Sequence, residues 1–566
     1  MRISARDTAL SRLFLLGPAA ISILVITNSV TDPVNSTKLF LLGGVAFAGL
    51  ATLTKTNFHF LWAESKGVIV ASTLFLFAML NSLANSDAPL AQQIYGVYGR
   101  NNGFVLYFAL LSLLIISLSI KSQHTVSKLL GSLALTGLVN LVYCAWVIAF
   151  GDFIGWSNPY GNILGTFGNP NFIGAFLGIF SAATLSFAIL QMKNIKILLP
   201  TILVYALTLI EIVNSNAIQG RVLFVLGVLI NGFYFLRSRV RTWLLPNIYL
   251  AFTGGIGLLG VLGTLQIGPL VGLLYKESVS LRGEYWYAGF KMGVTHLWTG
   301  VGFDTYGDWF RTLRRSSALV RPGIDTVSNS AHNVFLDIFA FGGLPLVATY
   351  IGILSFVVLS IFKFTKRHSD FDFRFVALVG AWACFQLQSL ISINQVGLAI
   401  WGWLLSGAII AYERITSDQA TISKDQSLQG KPKKASNPEI ISFQLRGGIG
   451  FVLGLLIAVP PLSADMKWRS AQMSGNAQQV ESVLNGSYMN PLNSYKYLEI
   501  VGAFEQSNLP ETARKLALEA VKFNPHNYES WRLFTLISGV SQQEMQTALS
   551  KMHELDPLNP NIVEAN

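Results

Sequence analysis

PNFIGAFLGIFSAATLSFAILQM, at residues 170–192, is a run without a charged side chain. A helix needs about 20 predominantly apolar residues to cross the hydrocarbon core of a bilayer, and this run has that length. Similar runs recur through most of the chain, so the sequence predicts an all-α, polytopic membrane protein. We interpret thirteen runs as membrane-spanning helices, at residues 13–31, 37–54, 67–84, 103–120, 129–150, 170–192, 197–214, 221–236, 243–267, 335–362, 374–393, 396–412 and 447–464.

Composition supports the same class of protein. Of the 566 residues, 52% are hydrophobic and 12% are charged, and this charged fraction is about half that of an ordinary soluble protein. The net charge of +11 comes from basic residues that lie mostly in short segments between apolar runs. There they orient helices, so we expect no nucleic-acid partner. Cys144 and Cys384 lie inside apolar runs, so we expect neither a disulfide framework nor a cysteine metal site.

The distribution of Lys and Arg predicts the orientation of the helices. Every second connection is basic, whereas the alternate connections contain few basic residues, such as Lys38 and Arg100. By the positive-inside rule the basic connections are cytoplasmic, so the N-terminus lies inside the cytoplasmic membrane and the chain after about residue 465 lies outside. The connection at 268–334 is external, and it is too long for the rule to apply. The cytoplasmic segments contain Arg2, Arg6, Arg12, Lys55, Lys66, Lys121, Lys128, Lys193, Lys196, Arg237, Arg239, Arg241, Lys363, Lys366, Arg367, Lys431, Lys433, Lys434 and Arg446.

These features divide the chain into a membrane part and a soluble tail. Residues 1–413 form a polytopic membrane domain, and the polar residues of 414–446 are typical of a flexible cytoplasmic linker. Residues 447–464 form the last transmembrane helix. Residues 465–566 then form an external, soluble α-helical domain.

The tail contains a repeated segment. Pro491, Pro525 and Pro557 recur at nearly equal intervals, within MNPLNSY, FNPHNYES and LDPLNP. A period of about 34 residues, with Pro after each helical pair, is similar to tetratricopeptide repeats, and the alternative is a generic helical hairpin domain. Stacked pairs build a concave surface, so we hypothesise that the tail recruits an external partner or the acceptor of a reaction. The alternative role is a stabilising cap.

The polar residues that need an explanation lie on the external side in this topology. They include Arg100, the GTFGNPNF turn at 165–172, Arg221, the long loop and the SAHNVF segment at 330–335. Taken singly, Arg221 at a membrane edge, Arg282 in the loop and His332 at the return to the membrane each have an ordinary structural explanation. The chain contains no HExxH, GxSxG or P-loop motif, so zinc, serine-hydrolase and nucleotide chemistry are not indicated.

Four segments in order carry more information than any one residue. They are GNPNFIGAFL at 168–177, QGR at 219–221, SLRGEYWYAGFKMGVTHLWTGVGFDTY at 280–306 and SAHNVFLDIFAFGGLPL at 330–346. This set resembles the O-antigen ligase superfamily of bacterial membrane glycosyltransferases, over roughly residues 65–410. The resemblance implies a fold of the type C glycosyltransferase kind. It also implies transfer of a glycan from a polyprenyl-diphosphate carrier to an acceptor outside the cytoplasmic membrane.

The resemblance assigns roles to three residues. Arg221 matches the family arginine that follows small or polar residues, Arg282 matches the arginine that begins the loop motif ending in G-x-G-F, and His332 matches the histidine of the H-N pair. Two features depart from the family pattern. Phe341 stands before G-G-L-P where members often have an acidic residue, and the repeat tail is an addition that many members lack.

The chemistry of these side chains suits such a reaction. Guanidinium groups are charged at every pH and form forked hydrogen bonds to phosphate oxygens, so Arg221 and Arg282 are candidates to bind the diphosphate. An inverting displacement requires the acceptor hydroxyl to lose a proton, and His332 is the candidate base. Because arginines can stabilise the leaving group, we expect no metal and no other cofactor. His332 and Arg282 are therefore the predicted catalytic residues.

Other functions remain open. A repeat-unit polysaccharide polymerase would use the same carrier for donor and acceptor, and the motifs do not separate it from a ligase. A transporter would need polar sites near the middle of the membrane, where Glu211 is the one clear ionisable residue within a predicted span. A catalytically inactive scaffold is the third alternative. The partners we expect are the lipid-linked glycan donor, a glycan, lipid or protein acceptor, membrane lipid and a protein bound by the tail.

Overall fold

The computed structural model describes residues 5–240, 242–264, 268–269, 271, 280–425, 442–484 and 494–562. These residues form helices and their connections, with no strand among them. The helices before the long loop are α1 Ala5–Ile23, α2 Asn35–Ala51, α3 Lys55–Ala84, α4 Leu90–Tyr95, α5 Phe104–Leu118, α6 Gln123–Phe150, α7 Pro170–Leu190, α8 Ile195–Asn214, α9 Ile218–Arg239 and α10 Leu244–Thr264.

The remaining helices belong to the loop, the end of the membrane part and the tail. They are α11 Arg282–Thr295, α12 Tyr306–Leu313, α13 Val334–Arg367, α14 Phe373–Ser389, α15 Val396–Asp425, α16 Phe443–Ser474, α17 Ala477–Leu484, α18 Ser494–Gln506, α19 Pro510–Phe523, α20 Tyr528–Thr535 and α21 Gln542–Leu555.

The helices confirm a multi-pass membrane protein. By length and composition, eight helices of the described chain are able to cross a membrane: α3, α6, α7, α8, α9, α13, the Val396–Ser417 part of α15, and α16. Three shorter apolar helices, Ala9–Ile23, Phe104–Leu118 and Leu244–Gly260, accompany them. Each of the thirteen predicted runs overlaps a helix. The total of thirteen spans stays a prediction.

Two helices extend beyond the predicted boundaries, and local chemistry explains where they end. The linker is expected to begin at residue 414, but α15 continues to Asp425 because RITSDQATISKD contains no Gly or Pro to end it. The rest of that linker, with Lys431, Lys433 and Lys434, lies outside the described residues. Helix α16 runs past the expected start of the tail and ends before Gly475, which adopts the left-handed conformation that favours glycine (φ 62°).

Lys38 is a further correction. The sequence places it in an external connection, but it lies inside α2 and is fully buried. Its Nζ donates to the carbonyl oxygens of Ile21, at 3.2 Å, and of Ser22, both in the last turn of α1. Those carbonyls have no partner within α1, so the ammonium group caps the helix and favours its negative end.

Close packing between the helices depends on glycine. A Cβ atom on Gly43 of α2 would lie 2.6 Å from the carbonyl oxygen of Gly454 of α16. A Cβ atom on Gly220 of α9 would lie 2.7 Å from the carbonyl oxygen of Gly174 of α7. Small residues at such crossings allow backbones to approach, which is typical of helices that associate within a bilayer.

One end of the bundle gathers the connections that the sequence predicts to be external. The Asn35 side chain donates to the carbonyl oxygen of Gly99 at 2.8 Å. Nη1 of Arg100 donates to the carbonyl oxygen of Asn329 at 2.6 Å. The segments after α1, after α4 and before α13 therefore meet at one end, which we call the site end.

The opposite end gathers the connections that the sequence predicts to be cytoplasmic. Nη2 of Arg414 donates to the carbonyl oxygen of Ile120 at 2.7 Å. Nε of Arg374 donates to Oγ of Ser127 at 2.7 Å. The alternation of basic connections thus matches the two ends of the bundle, whereas which end faces the cytoplasm stays a prediction.

The tail forms helical pairs. Helices α18 and α19 pack as one pair and α20 and α21 as the next, and Pro525 and Pro557 follow the second helix of each. Leu516, Ala517 and Ala520 are buried, which is typical of the apolar stripe of a stacking helix. Pro491 lies outside the described residues, and the assignment to tetratricopeptide repeats stays a prediction.

Candidate functional site

A break in α13 organises the site end. The helix departs from helical geometry at Gly342–Gly343, and Pro345 follows after Leu344. The backbone N–H of Val301 donates to the carbonyl oxygen of Ala340 at 2.8 Å, and that of Gly302 donates to the carbonyl oxygen of Phe341 at 3.1 Å. The backbone of the G-x-G-F segment is therefore hydrogen-bonded to the two residues that precede the G-G-L-P motif. We call this contact the junction.

Asp304 follows this junction and ties it to a second loop. Its Oδ2 accepts the backbone N–H of Val97 at 2.7 Å and that of Asn102 at 3.2 Å. Nε of Arg100, in the same loop, lies 3.9 Å from Oδ1. Burial raises the pKa of Asp304, although Arg100 and the two backbone N–H groups favour the charged carboxylate.

Arg100 stands between Asp304 and the end of the long loop. Its side chain is 14% exposed and donates one hydrogen bond, from Nη1 to the carbonyl oxygen of Asn329. Nε and Nη2 are buried, and neither has a hydrogen-bond partner within the described part of the chain. A guanidinium with two nitrogen atoms that make no hydrogen bond is suited to an anionic ligand.

His332 lies at the tip of the turn that opens α13. It adopts the left-handed backbone conformation (φ 53°), and its N–H donates to Oγ of Ser330 at 3.1 Å. The next residue, Asn333, caps α13, because its Oδ1 accepts the N–H of Phe335 at 3.0 Å and that of Leu336 at 3.2 Å. In the H-N pair, Asn333 therefore begins the helix and His332 is presented by the turn before it.

The structure places Arg282 and His332 within electrostatic range. Burial, together with the positive charges of Arg282 and Arg100, lowers the pKa of His332 to about 4. Burial also lowers the pKa of Arg282, which lies at the first position of α11. At neutral pH the imidazole is therefore uncharged, within electrostatic range of two guanidinium groups.

Aromatic residues support this arrangement. Tyr285 of α11 packs its ring on His332, with ring centroids 5.6 Å apart. The hydroxyl of Tyr306 donates to the carbonyl oxygen of Tyr285, and Phe310 contacts the Tyr285 ring with centroids 5.9 Å apart. Helix α11 thus contacts the His332 ring through Tyr285, and α12 supports Tyr285.

Arg221 has a different environment. It is exposed in the first turn of α9, and no hydrogen bond or ion pair of the described residues joins it to Arg282 or His332. Its neighbour Gln219 donates to the carbonyl oxygen of Asn171 at the start of α7. The QGR and GNPNF motifs therefore meet at the site end through helix packing.

Arg100, Arg282, Asp304, His332 and Asp337 form what we call the cluster. Sequence reasoning missed three of these residues: Arg100, Asp304 and Asp337. Asp337 is buried, its Oδ1 accepts the N–H of Ala331 at 2.7 Å, and it lies within electrostatic range of Arg100. It precedes Phe341, the position where an acid is expected, by about one helical turn. The available signal for Arg100 is its place in the external turn YGRNNG.

Two further observations concern ionisable groups. Glu211 is buried near the end of α8, and neither carboxylate oxygen has a hydrogen-bond partner in the part of the chain that the structure describes. In that same part, no group of three or more His, Cys, Asp or Glu side chains stands close enough to hold a metal ion.

No protein-family model and no curated protein matches the sequence. The fold and the site themselves define the chain as a multi-pass helical membrane protein. At one end of its bundle, Arg282 and Arg100 lie within electrostatic range of an uncharged His332.

Proposed function

We propose that this protein is an O-antigen ligase-like glycosyltransferase of the cytoplasmic membrane. It transfers a glycan from a polyprenyl-diphosphate carrier to an acceptor on the external face. The observation that carries the proposal is that His332 lies within electrostatic range of both Arg282 and Arg100 at one end of the bundle. A transferase of this kind needs a base for the acceptor hydroxyl and cations for the departing diphosphate, and this cluster contains both.

The proposed reaction is a direct, inverting displacement. The acceptor hydroxyl oxygen forms a bond to the anomeric carbon while the bond from that carbon to the diphosphate oxygen breaks. The hydroxyl proton passes to His332, and the electron pair of the broken bond stays on the diphosphate. Arg282 and Arg100 stabilise the charge that grows there, so the step requires no metal or cofactor.

The electrostatics of the cluster make the pKa of His332 depend on whether the donor is bound. In the free protein burial, together with the two guanidinium groups, holds the pKa of His332 at about 4, so the imidazole is a weak base. A bound diphosphate offsets the positive charge, which removes that part of the lowering and raises the pKa of His332. The base therefore becomes stronger when the donor is in place.

Arg221 has a second role in this proposal. It is exposed on α9, and its neighbour Gln219 is bonded to the start of α7 at the site end. We assign it to the diphosphate as a contact from an exposed position, separate from the half-buried Arg282 and Arg100. This assignment predicts a weaker contribution from Arg221 than from Arg282, because an exposed charge is screened by water.

The topology completes the proposal. Thirteen spans place the N-terminus in the cytoplasm and the site end, with the tail, outside. The tail is proposed to be a tetratricopeptide-like domain, and the nearly equal spacing of Pro491, Pro525 and Pro557 supports that assignment.

The test is reconstitution of the purified protein in proteoliposomes that contain a lipid-linked glycan. A transferase releases polyprenyl diphosphate and forms a glycosidic bond to the acceptor. A repeat-unit polymerase instead lengthens the glycan on the carrier, and a transporter moves the glycan across the bilayer without a new bond. Either of these last two outcomes would contradict the ligase proposal.

A further inference from the structure

Helix α12 of the long loop has two functional faces. One face reaches the site, through Tyr306 and Phe310, which contact Tyr285 beside His332. The opposite face carries the polar residues Asp308 and Arg311, and Arg314 follows the end of the helix. The tail covers this polar face.

The first contact comes from the turn after α19. Nδ2 of Asn524 donates to Oδ2 of Asp308 at 3.0 Å, and Nδ2 of Asn527 donates to Oδ1 of Asp308 at 3.0 Å. The ring of His526, in the same turn, stacks on Trp309 with centroids 5.2 Å apart. Both carboxylate oxygens of Asp308 are therefore bound by the tail.

The second contact comes from the equivalent turn after α21. Asp556 accepts from Nη2 of Arg314 at 2.7 Å and from Nη1 of Arg311 at 3.2 Å, and the side chains of Asp556 and Arg314 are 0% exposed. Glu529 also binds Arg311, at 2.6 Å. Asn524-Pro525 and Asp556-Pro557 each follow the second helix of a pair, so corresponding positions of two helical pairs hold one helix of the loop.

A third contact reaches the other loop of the site. Tyr98, in the same loop as Arg100, donates its hydroxyl to Oδ1 of Asp465 of α16 at 2.7 Å. Nζ of Lys496, in α18, lies 4.1 Å from the centroid of the Tyr98 ring. The C-terminal part of the chain thus contacts both segments that supply the cluster.

We propose that the C-terminal domain is a positioning domain for the site of its own chain. It holds α12, which supports Tyr285 beside His332. Asp465 and Lys496 hold the loop of Arg100 through Tyr98. The catalytic role of the site rests on the proposed function. The contacts between the tail and the two loops, which we call the clamp, do not rest on it. The polar side chains of the two tail turns, Asn524, Asn527 and Asp556, bind the chain's own loop. They are therefore not available to recruit a partner.

The experiment uses the full-length protein in nanodiscs and measures amide hydrogen exchange. Asp556→Asn removes the charge that Arg311 and Arg314 share, and we expect at least tenfold faster exchange in 306–333. Glu554→Gln is the matched control, because Glu554 lies close by in the sequence and forms an exposed ion pair with Lys551. It should leave the exchange unchanged.

A second variant and a second readout keep the proposal testable. Asn527→Asp replaces the amide donor to Asp308 but keeps the oxygen that accepts the N–H of Ser530 and caps α20, so it tests the clamp if Asp556→Asn does not fold. Unchanged exchange in 306–333 for the folded variants would overturn the proposal. Where transfer is measurable, these variants should lower kcat and shift the acid limb of the pH profile, which a general loss of stability would not do. If wild-type protein shows no transfer, the exchange result still decides the clamp.

A different observation at the opposite end of the bundle points to a lipid site. An apolar groove of about 480 Å³ lies between α6, α7, α8 and α14. Its walls are almost entirely apolar, with Leu130, Ala134, Phe180, Ala183, Val204 and Ala377 among them. Such a groove within the membrane part fits a hydrocarbon chain.

The rim of the groove is basic. Arg374 donates from Nε to Oγ of Ser127, which lines the groove, and its guanidinium lies 4.7 Å from the centroid of the lining residue Phe373. Lys128 and Lys196 are next in the sequence to the lining residues Ser127 and Ile197, and Asp372 is next to Phe373, so three cations and one carboxylate adjoin this end of the groove. Apolar walls beneath a basic rim complement an amphiphile with an anionic head group. We therefore infer that the groove binds an anionic phospholipid.

Native mass spectrometry of protein purified from bilayers of phosphatidylcholine and phosphatidylglycerol tests this inference. Arg374→Gln and Ala183→Phe should each lower the phosphatidylglycerol retained at least fivefold, the first through the head group and the second by filling the groove. Lys66→Gln is the control, because Lys66 is an exposed basic residue of a predicted cytoplasmic connection that does not line the groove. Equal retention in all variants, or loss of a polyprenyl lipid instead, would overturn the inference.

Discussion

The ring of Tyr285 packs on the ring of His332, with centroids 5.6 Å apart and planes inclined by 30°. Tyr285 lies in the first turn of α11, which Arg282 begins, so one turn of helix supplies both a wall for the imidazole and a positive charge beside it. The hydroxyl of Tyr306 then fixes the backbone of Tyr285 from α12. The histidine is thus held by a helix that the sequence alone does not predict.

His332→Ala should reduce glycan transfer by about 100-fold or more, because a positioned general base contributes at least that factor. The measurement is the rate of product formation by purified protein in nanodiscs. His124→Ala is the control, since His124 is exposed in a predicted cytoplasmic connection. Transfer by His332→Ala at the rate of the control would remove His332 as the base.

Arg282→Lys should reduce transfer by about tenfold to 100-fold although it keeps the charge. A lysine loses the forked geometry for phosphate oxygens, and a hydrogen bond to a charged group contributes about 1.5–3 kcal/mol. Arg100→Lys should have a similar effect, and Arg221→Lys a smaller one. Arg315→Lys, in an exposed ion pair with Glu284, is the control. Normal transfer by both Arg282→Lys and Arg221→Lys would rule out the proposed diphosphate contacts.

The pH profile tests the electrostatics directly. The free protein has His332 with a pKa of about 4, so kcat/KM should fall only as the pH drops below that value. Arg282→Gln removes one positive charge, which raises the pKa of His332 and moves the acid limb to higher pH. Arg315→Gln should leave the limb in place, since the Arg315 charge is balanced by Glu284. If the acid limb of Arg282→Gln lies at the same pH as that of the wild type, the assigned effect of Arg282 on the pKa of His332 is contradicted.

Gly300→Ala tests the junction between the loop and the break in α13. A Cβ atom at this position would lie 2.3 Å from the carbonyl carbon of Phe341, so we expect a loss of about 1–3 kcal/mol in stability beyond that of a control. The control is Gly161→Ala, because Gly161 has nearly the same φ, 65° against 66°, and open space around it. Thermal unfolding in detergent gives the comparison, and equal shifts in Tm would show that the contact with Phe341 is unimportant.

Topology is tested with a reporter that is active only outside the membrane. Fusions after residue 300 or 480 should be active, and a fusion near 430 should be silent, because basic connections stay in the cytoplasm. Activity at 430 together with silence at 480 would reverse the orientation and place the site end inside the cell.

Much of the membrane part is predictable from the sequence, for a simple physical reason. A spanning helix satisfies its backbone polar groups within itself, so a long apolar run is sufficient to indicate it. Helix ends are less predictable, as the extension of α15 to Asp425 shows. Helices α11 and α12 escape prediction because their short, mixed sequences form helices only within the packed loop.

The candidate site shows the same division. Arg282 and His332 are identified through the order of motifs around them, and the structure brings them within electrostatic range. The sequence assigns Arg100 no role, because its partners Asp304 and Asn329 are distant in the chain. Contacts between such distant segments leave no local pattern, and the same holds for the bond between Arg314 and Asp556.

The most direct test of the central claim is a coupled measurement on one reconstituted preparation. It follows the release of polyprenyl diphosphate and the glycosylation of the acceptor together, for wild-type protein and for His332→Ala. The account predicts equal amounts of the two products from the wild type and neither from the variant. Acceptor glycosylation by the variant at the wild-type rate, or release of diphosphate that does not depend on His332 or Arg282, would contradict it.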